Sequence, residues 1–113
     1  MYTPPPIKFT IENISGVYKY SSIQEINDNI SLIRIMAMDH KESPEKTDLA
    51  KVVKKRFLNK LAIIGNYHSA YGNPRSILEI PIEAFIKSNA DFTLELIEDS
   101  KVEVILFLKQ TYE

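Results

Sequence analysis

The alternation of hydrophobic and polar positions marks several short strand-like segments along the chain. Residues 7–12 alternate apolar and polar side chains, the pattern of a strand with one buried face. Residues 76–82 alternate in the same way, although Pro81 places this strand at a sheet edge or ends it. Alternatively, Pro81 opens a short helix that closes at Ser88 and Asn89.

Two further alternating segments lie near the C-terminus. Residues 92–97 and 102–108 flank a polar turn over 98–100, which predicts a β-hairpin. Each segment repeats apolar side chains at every second position: Phe92, Leu94 and Leu96, then Val102, Val104, Leu106 and Leu108. Residues 104–108 are apolar on both faces, so this strand lies in the middle of a sheet or pairs with a second molecule.

One segment has the spacing of a helix, and we predict a helix over residues 44–64. Ser43 is a suitable N-cap and Pro44 suits the first helical position. Five apolar side chains follow at helical spacing and form one stripe: Leu49, Val53, Phe57, Leu61 and Ile64. Gly65 then stands where a helix commonly ends.

Residues 17–38 fit two interpretations. In the first, a helix begins at Ser22, and Glu25 three residues later completes a capping box. In the second, two strands turn at residues 27–29, whose Asn-Asp-Asn sequence favours turns and weakens helices. The apolar run over 30–38 suits either interpretation, and we favour the helix.

Together these elements predict an α+β fold, a small antiparallel sheet with one or two helices packed on one face. A length of 113 residues supports one core rather than two. We therefore expect a single domain over residues 1–113, in which residues 1–6 form an extended, proline-rich lead-in.

Composition mainly excludes classes of protein. The chain has no cysteine, which removes disulfides and thiolate metal sites and fits a reducing compartment. The first residues lack the basic and apolar regions of a signal peptide, and the longest apolar run, 104–108, is too short to span a bilayer. We therefore expect a cytoplasmic protein without a membrane segment, a metal or another cofactor. Abundant Ile, Lys, Asn and Tyr, whose codons are AT-rich, point to a bacterial or viral genome.

The segment 65–76, read GNYHSAYGNPRS, is the main candidate site, and we interpret it as a loop. Its candidate binding residues are Tyr67, His68, Tyr71, Asn73 and Arg75. A histidine near a cation suits acid–base chemistry on a phosphorylated or nucleotide substrate, with Arg75 binding the oxyanion. We favour instead a recognition loop, because no motif or nearby carboxylate accompanies His68.

A second candidate surface is the basic segment 46–60. It holds one acid, Asp48, and six basic residues: Lys46, Lys51, Lys54, Lys55, Arg56 and Lys60. Such a helix suits an acidic protein surface or a phosphate backbone, although a solvated helix face is the structural interpretation. The predicted hairpin carries four acidic residues: Glu95, Glu98, Asp99 and Glu103. We therefore expect a dipolar molecule, with a basic helix and an acidic hairpin.

These observations predict a small non-enzymatic binding protein that acts through protein–protein interaction, of the inhibitor, immunity or accessory type. Lys51, Lys54 and Lys55 join the candidate binding residues of the segment 65–76. The first alternative is a small-ligand or nucleotide-binding protein, or an enzyme on phosphorylated substrates, using His68 and Arg75. The second alternative is nucleic-acid binding through residues 46–60. We also expect a homodimer through the C-terminal strand region.

Overall fold

The computed structural model describes residues 2–14, 17–20, 29–38, 48–70, 72–90 and 92–111, with only the backbone over 17–20. It confirms the small α+β fold. Six strands form one antiparallel sheet: β1 (Ile7–Ile14), β2 (Val17–Tyr20), β3 (Ile30–Met38), β4 (Asn66–Ala70), β5 (Asn73–Pro81) and β6 (Ser100–Leu108). The same ranges contain three short helices: α1 (Leu49–Val52), α2 (Lys55–Ala62) and α3 (Ile82–Lys87).

The core lies between one face of the sheet and the three helices. The spatial order of the strands is β2-β1-β6-β3-β5-β4, so β6 is central and contacts β1 and β3. Val104 of β6 stands opposite Phe9 of β1 and Ile35 of β3. The helices add Leu49, Leu61 and other apolar side chains to the same cluster. We call the other side of the sheet the open face, since no described helix packs on it.

Of the two environments predicted for the strand β6, the first, the middle of a sheet, is confirmed. Both of its edges are paired within the chain, so it has no free edge for a second molecule. Ile105 and Phe107 alternate with the core residues of β6 and lie on the open face. A homodimer through this strand region would use that face, and it stays a prediction.

The helix favoured within residues 17–38 is wrong over residues 30–38, which form β3. Ile30, Ile33 and Ile35 are buried on the core side of this strand. Isoleucine favours strands, and β6 and β5 supply backbone partners on both edges, which a helix there would leave unpaired. The alternative of two strands is confirmed for 17–20 and 30–38, although β1 and β6 separate them in the sheet. Residues 21–28 lie outside the described residues.

The helix predicted over 44–64 is interrupted at Val53. This residue forms an isolated β-bridge with Leu96, and the Lys54 amide donates to the Glu95 carbonyl over 2.8 Å. β-Branched residues are weaker helix formers than alanine or leucine, and the bridge gives the extended backbone its hydrogen bonds. The single predicted helix is therefore two short helices, α1 and α2.

Capping explains where α1 begins. The Asp48 carboxylate accepts a hydrogen bond from the Ala50 amide over 2.8 Å, which makes Asp48 the N-cap. Ser43 and Pro44, the predicted start, lie outside the described residues. The apolar stripe nevertheless faces the core, where three members are buried and two are half-buried: Leu49, Val53 and Leu61, then Phe57 and Ile64.

The predicted C-terminal hairpin is wrong, because residues 92–97 do not pair with β6. They form no strand, and they reach the junction of α1 and α2 through Leu96. Phe92 and Leu94 pack against the core and Leu96 is buried in it. Alternation thus identified the inward side chains but not their partner, because the same pattern suits any edge with an apolar face.

Pro81 has both of the predicted roles, since it ends β5 and precedes α3. It stands opposite Leu32 at the end of the β3–β5 pairing. The helix then closes at Ser88, and Asn89 takes a positive φ of 55°. An edge position for this strand is wrong, because β5 lies between β3 and β4.

Candidate functional site

The segment 65–76, predicted as a loop, is mostly a β-hairpin of β4 and the first half of β5. Tyr67 stands opposite Leu78, and His68 stands opposite Ile77. Gly72 has a φ of +79° at the turn, a conformation that glycine adopts without a steric penalty. The abundance of turn-forming residues obscured the strand pattern in the sequence. Tyr71, another predicted binding residue, lies outside the described residues.

Gly65 serves packing rather than the end of a helix. The helix α2 ends three residues earlier, at Ala62. A Cβ atom at Gly65 would lie 2.9 Å from the Glu79 carbonyl oxygen and 3.0 Å from side-chain atoms of Leu78 and Ile80. Only a residue without a Cβ atom lets the chain pass this close to β5 before β4 begins.

Asn73, a predicted binding residue, has a structural contact at the turn. Its side-chain oxygen accepts a hydrogen bond from the Arg75 amide over 3.1 Å. The buried Ser76 hydroxyl donates to the Asn73 carbonyl over 3.0 Å and accepts from the Ala70 amide over 2.7 Å. These bonds fix the shape of the turn around Arg75.

Arg75 joins the hairpin to the start of α1. Its guanidinium lies 2.8 Å from the carboxylate of Asp48, the buried residue that caps α1. Tyr67 is in the electrostatic range of both side chains. Partial burial raises the pKa of the Tyr67 hydroxyl, while Arg75 opposes that rise and Asp48 adds to it. Tyr67 and Arg75, two predicted binding residues, therefore both lie near the start of α1.

His68 belongs to a different group on the open face. Its Nε2 lies 2.8 Å from Glu79 Oε1, and Glu79 Oε2 accepts from Arg34 Nε over 3.1 Å and from Arg34 Nη2 over 2.9 Å. The Arg34 guanidinium lies 4.7 Å from the centre of the Phe107 ring. We call Phe107, Arg34, Glu79 and His68 the cross-strand cluster, since each comes from a different strand.

The carboxylate that orients His68 comes from β5, so sequence proximity missed it. His68 and Arg75, which the sequence suggested as partners in chemistry, have separate carboxylate partners, Glu79 and Asp48. No described contact joins the two side chains. Among the residues that the structure describes, no group of three or more His, Asp and Glu side chains is arranged to hold a metal ion.

The basic segment forms an exposed surface on α1 and α2. Lys54 Nζ and Arg56 Nη2 both bind Glu95, the latter over 2.9 Å. Their hydrogen bonds hold the pKa of the Glu95 carboxyl below its ordinary value. Glu95 was expected on the acidic C-terminal hairpin. It lies against the basic residues instead, because Leu96 forms its bridge with Val53 at the junction of α1 and α2.

Three other lysines of this surface have no ion-pair partner among the described residues: Lys51, Lys55 and Lys60. All three are exposed. We define the basic face as Lys51, Lys54, Lys55, Arg56 and Lys60 with Glu95. Five cations and one carboxylate leave four positive charges here, in a chain whose net charge is −1. Lys46 lies outside the described residues.

A cleft of about 370 Å³ opens beside α2 at one end of the basic face. It is lined by Arg56, Phe57, Lys60, Leu61 and Thr93. The Arg56 guanidinium lies 4.6 Å from the centre of the Phe57 ring and forms part of the rim. The sequence did not reveal this cleft, because Thr93 lies beside α2 through contacts distant in sequence, such as the bridge at Leu96.

No protein-family model, no curated protein and no solved structure matches this chain. Within the described ranges, no helix has the length and apolar character needed to cross a membrane. The functional argument therefore depends on the geometry of this chain alone.

Proposed function

We propose that this protein is a non-enzymatic binding protein of the inhibitor, immunity or accessory type, and that its partner is a protein with an acidic surface. The contact surface is the basic face together with Tyr67 and Arg75 of the adjoining hairpin. The observation that carries the proposal is the set of exposed cations at Lys51, Lys55 and Lys60, which have no ion-pair partner in the described part of the chain.

The support under these lysines makes them suitable for recognition. Leu49 and Leu61 are almost fully buried and fix α1 and α2 to the core. The ion pair of Arg75 with Asp48 adds the hairpin to the same surface. A backbone fixed in this way loses less conformational entropy on binding, and tyrosine and arginine are frequent at binding hot spots.

Glu95 favours a protein partner over a nucleic acid. A carboxylate 2.9 Å from Arg56 repels phosphate groups that approach this part of the face. Nucleic-acid binding gains its affinity from many phosphate contacts, and a chain with a net charge of −1 attracts polyanions weakly overall. A protein surface presents carboxylates among neutral and basic groups, which fits this mixed face better.

Catalysis on phosphorylated substrates has less geometric support. His68 and Arg75 were the residues proposed for it, and each is bound to its own carboxylate. We place the protein in the cytoplasm, because a chain without cysteine does not depend on the oxidising compartments in which disulfides form.

The test begins with chemical cross-linking in the source cells, which identifies a partner, followed by calorimetry with the purified partner. The double variant Lys51→Glu/Lys55→Glu should weaken binding about 10-fold or more, because two favourable charge contacts become repulsive. A matched control reverses two exposed lysines elsewhere, Lys8→Glu/Lys109→Glu, and should change the affinity by less than about 2-fold.

Equal losses in the two double variants would contradict the proposed surface. Capture that disappears after nuclease treatment, together with competition by duplex DNA, would support the nucleic-acid alternative instead.

A further inference from the structure

The cleft beside α2 combines an apolar base with a polar rim. Phe57 is half-buried against the core and offers apolar ring atoms at the base, which Leu61 also lines although it is only 1% exposed. Thr93, an exposed residue, supplies a hydroxyl group to the lining. A group bound here would exchange water for apolar contact at one end and keep polar contact at the other.

The two cations of the rim differ in their availability. Arg56 is held over the Phe57 ring and by Glu95, so its guanidinium is fixed and partly neutralised. Lys60 stands one helical turn further along α2 and has no ion-pair partner among the described residues. An incoming anion would therefore gain most at Lys60, beside the apolar base.

Size and charge together restrict what fits. A volume of about 370 Å³ is near the lower end of ligand pockets and has room for one large side chain. Glu95 disfavours a dianionic phosphate near Arg56, whereas Lys60, which has no ion-pair partner among the described residues, attracts a single carboxylate. An aromatic side chain next to a carboxylate meets both requirements.

We infer that this cleft receives one aromatic side chain of the partner, flanked in the partner's sequence by glutamate or aspartate. The inference rests on the proposed function, and it names the feature that the partner must carry. The basic face provides general attraction to acidic segments, and the cleft selects among them.

Two capped peptides of equal charge test the inference: Gly-Glu-Glu-Phe-Glu-Glu-Gly and Gly-Glu-Glu-Ala-Glu-Glu-Gly. Titration into the isotopically labelled full chain, followed by NMR, reports affinity and location together. The phenylalanine peptide should bind about 10-fold more tightly, because its ring leaves water. The amide signals of Leu61 and Thr93 should shift clearly with that peptide and much less with the alanine peptide, which reaches only the basic face.

The variant Thr93→Trp should fill the cleft from an exposed position. It should remove the preference for phenylalanine, because the indole ring would occupy the space that the phenylalanine ring enters. The comparison of the two peptides on the unmodified chain stands by itself if this variant folds poorly. Equal affinities of the two peptides, or shifts confined to residues away from the cleft, would overturn the inference.

The variant Lys51→Glu/Lys55→Glu separates the two proposals. It should weaken the binding of both peptides and preserve the ratio of their affinities. If the unmodified chain binds both peptides equally well and the double variant weakens both, the inference about the cleft is refuted and the proposal of the basic face stands. A preserved ratio without any charge dependence would keep the cleft and contradict the basic face.

Discussion

The cross-strand cluster and the basic face both expose charged side chains, yet they differ in how those charges are paired. In the cluster, Glu79 binds Arg34 and His68, so each charge has a partner within the chain. In the basic face, one carboxylate serves two of five cations, and three lysines have no described ion-pair partner. The proposal of a binding surface therefore rests on exposed charge without a described partner rather than on charge alone.

The physical basis of this difference is the gain that an outside partner would obtain. The Glu79 side chain is 18% exposed and already compensates Arg34, so an incoming anion would have to displace it. When an acidic partner binds an exposed lysine, it displaces hydrating water and breaks no ion pair, so the desolvation cost is small. The cluster thus stabilises the edge strand β4, whereas the basic face is available to a partner.

The largest expected effect lies under the basic face. Leu61→Ala should lower the free energy of unfolding by about 2–5 kcal/mol, because the side chain is almost fully buried where α2 meets the core. Ile63→Ala is the matched control, since Ile63 is 84% exposed just after the same helix. Urea unfolding measures both, and a similar small loss in the two variants would show that α2 is not held by this contact.

The second effect separates structural charge from functional charge. Glu79→Gln should lower the free energy of unfolding by about 1–2 kcal/mol, because Arg34 loses its ionic partner and His68 loses its carboxylate contact in a partly exposed setting. Binding of the partner should stay within about 2-fold, since the cluster lies on the open face. Unchanged stability with weaker binding would place the cluster in the recognition surface.

A third, smaller effect concerns acidification. The pKa of Glu95 is lower in the folded chain than in the unfolded chain, so its ion pairs stabilise the fold above the ordinary glutamate range. This stabilisation should be lost as the pH falls from that range through the lower folded pKa. Urea unfolding at several acidic pH values should therefore show a flatter dependence for Glu95→Gln than for the unmodified chain.

The same Glu95→Gln variant should bind an acidic partner more tightly at neutral pH, because Lys54 and Arg56 become fully available. Weaker binding would mean that Glu95 itself contacts the partner.

Local patterns predicted which side chains are buried better than they predicted which segments pair. The alternation over 102–108 identified the inward positions of β6, and helical spacing found Leu49 and Leu61. The same information misassigned residues 30–38, since an apolar run suits a buried helix or a strand with two neighbours. It also paired 92–97 with the wrong segment, because register depends on contacts distant in sequence.

The candidate sites show the same division. The lysines of the basic face could be read directly from their density in the sequence. Glu95 and Thr93 could not, because their position beside α2 depends on contacts distant in sequence, among them the bridge between Val53 and Leu96. The partner of His68 likewise depends on the register of β4 against β5. Contacts between side chains that strand pairing brings together therefore could not be predicted from the sequence.

The most direct measurement compares two variants on one purified partner, with affinity from calorimetry and stability from urea unfolding. Lys51→Glu/Lys55→Glu should lose about 10-fold or more in affinity while its free energy of unfolding changes by less than about 0.5 kcal/mol. Glu79→Gln should do the reverse, with lower stability and nearly unchanged affinity. The opposite pattern, with binding lost in Glu79→Gln and retained in the lysine variant, would contradict the distinction between paired and unpaired charge.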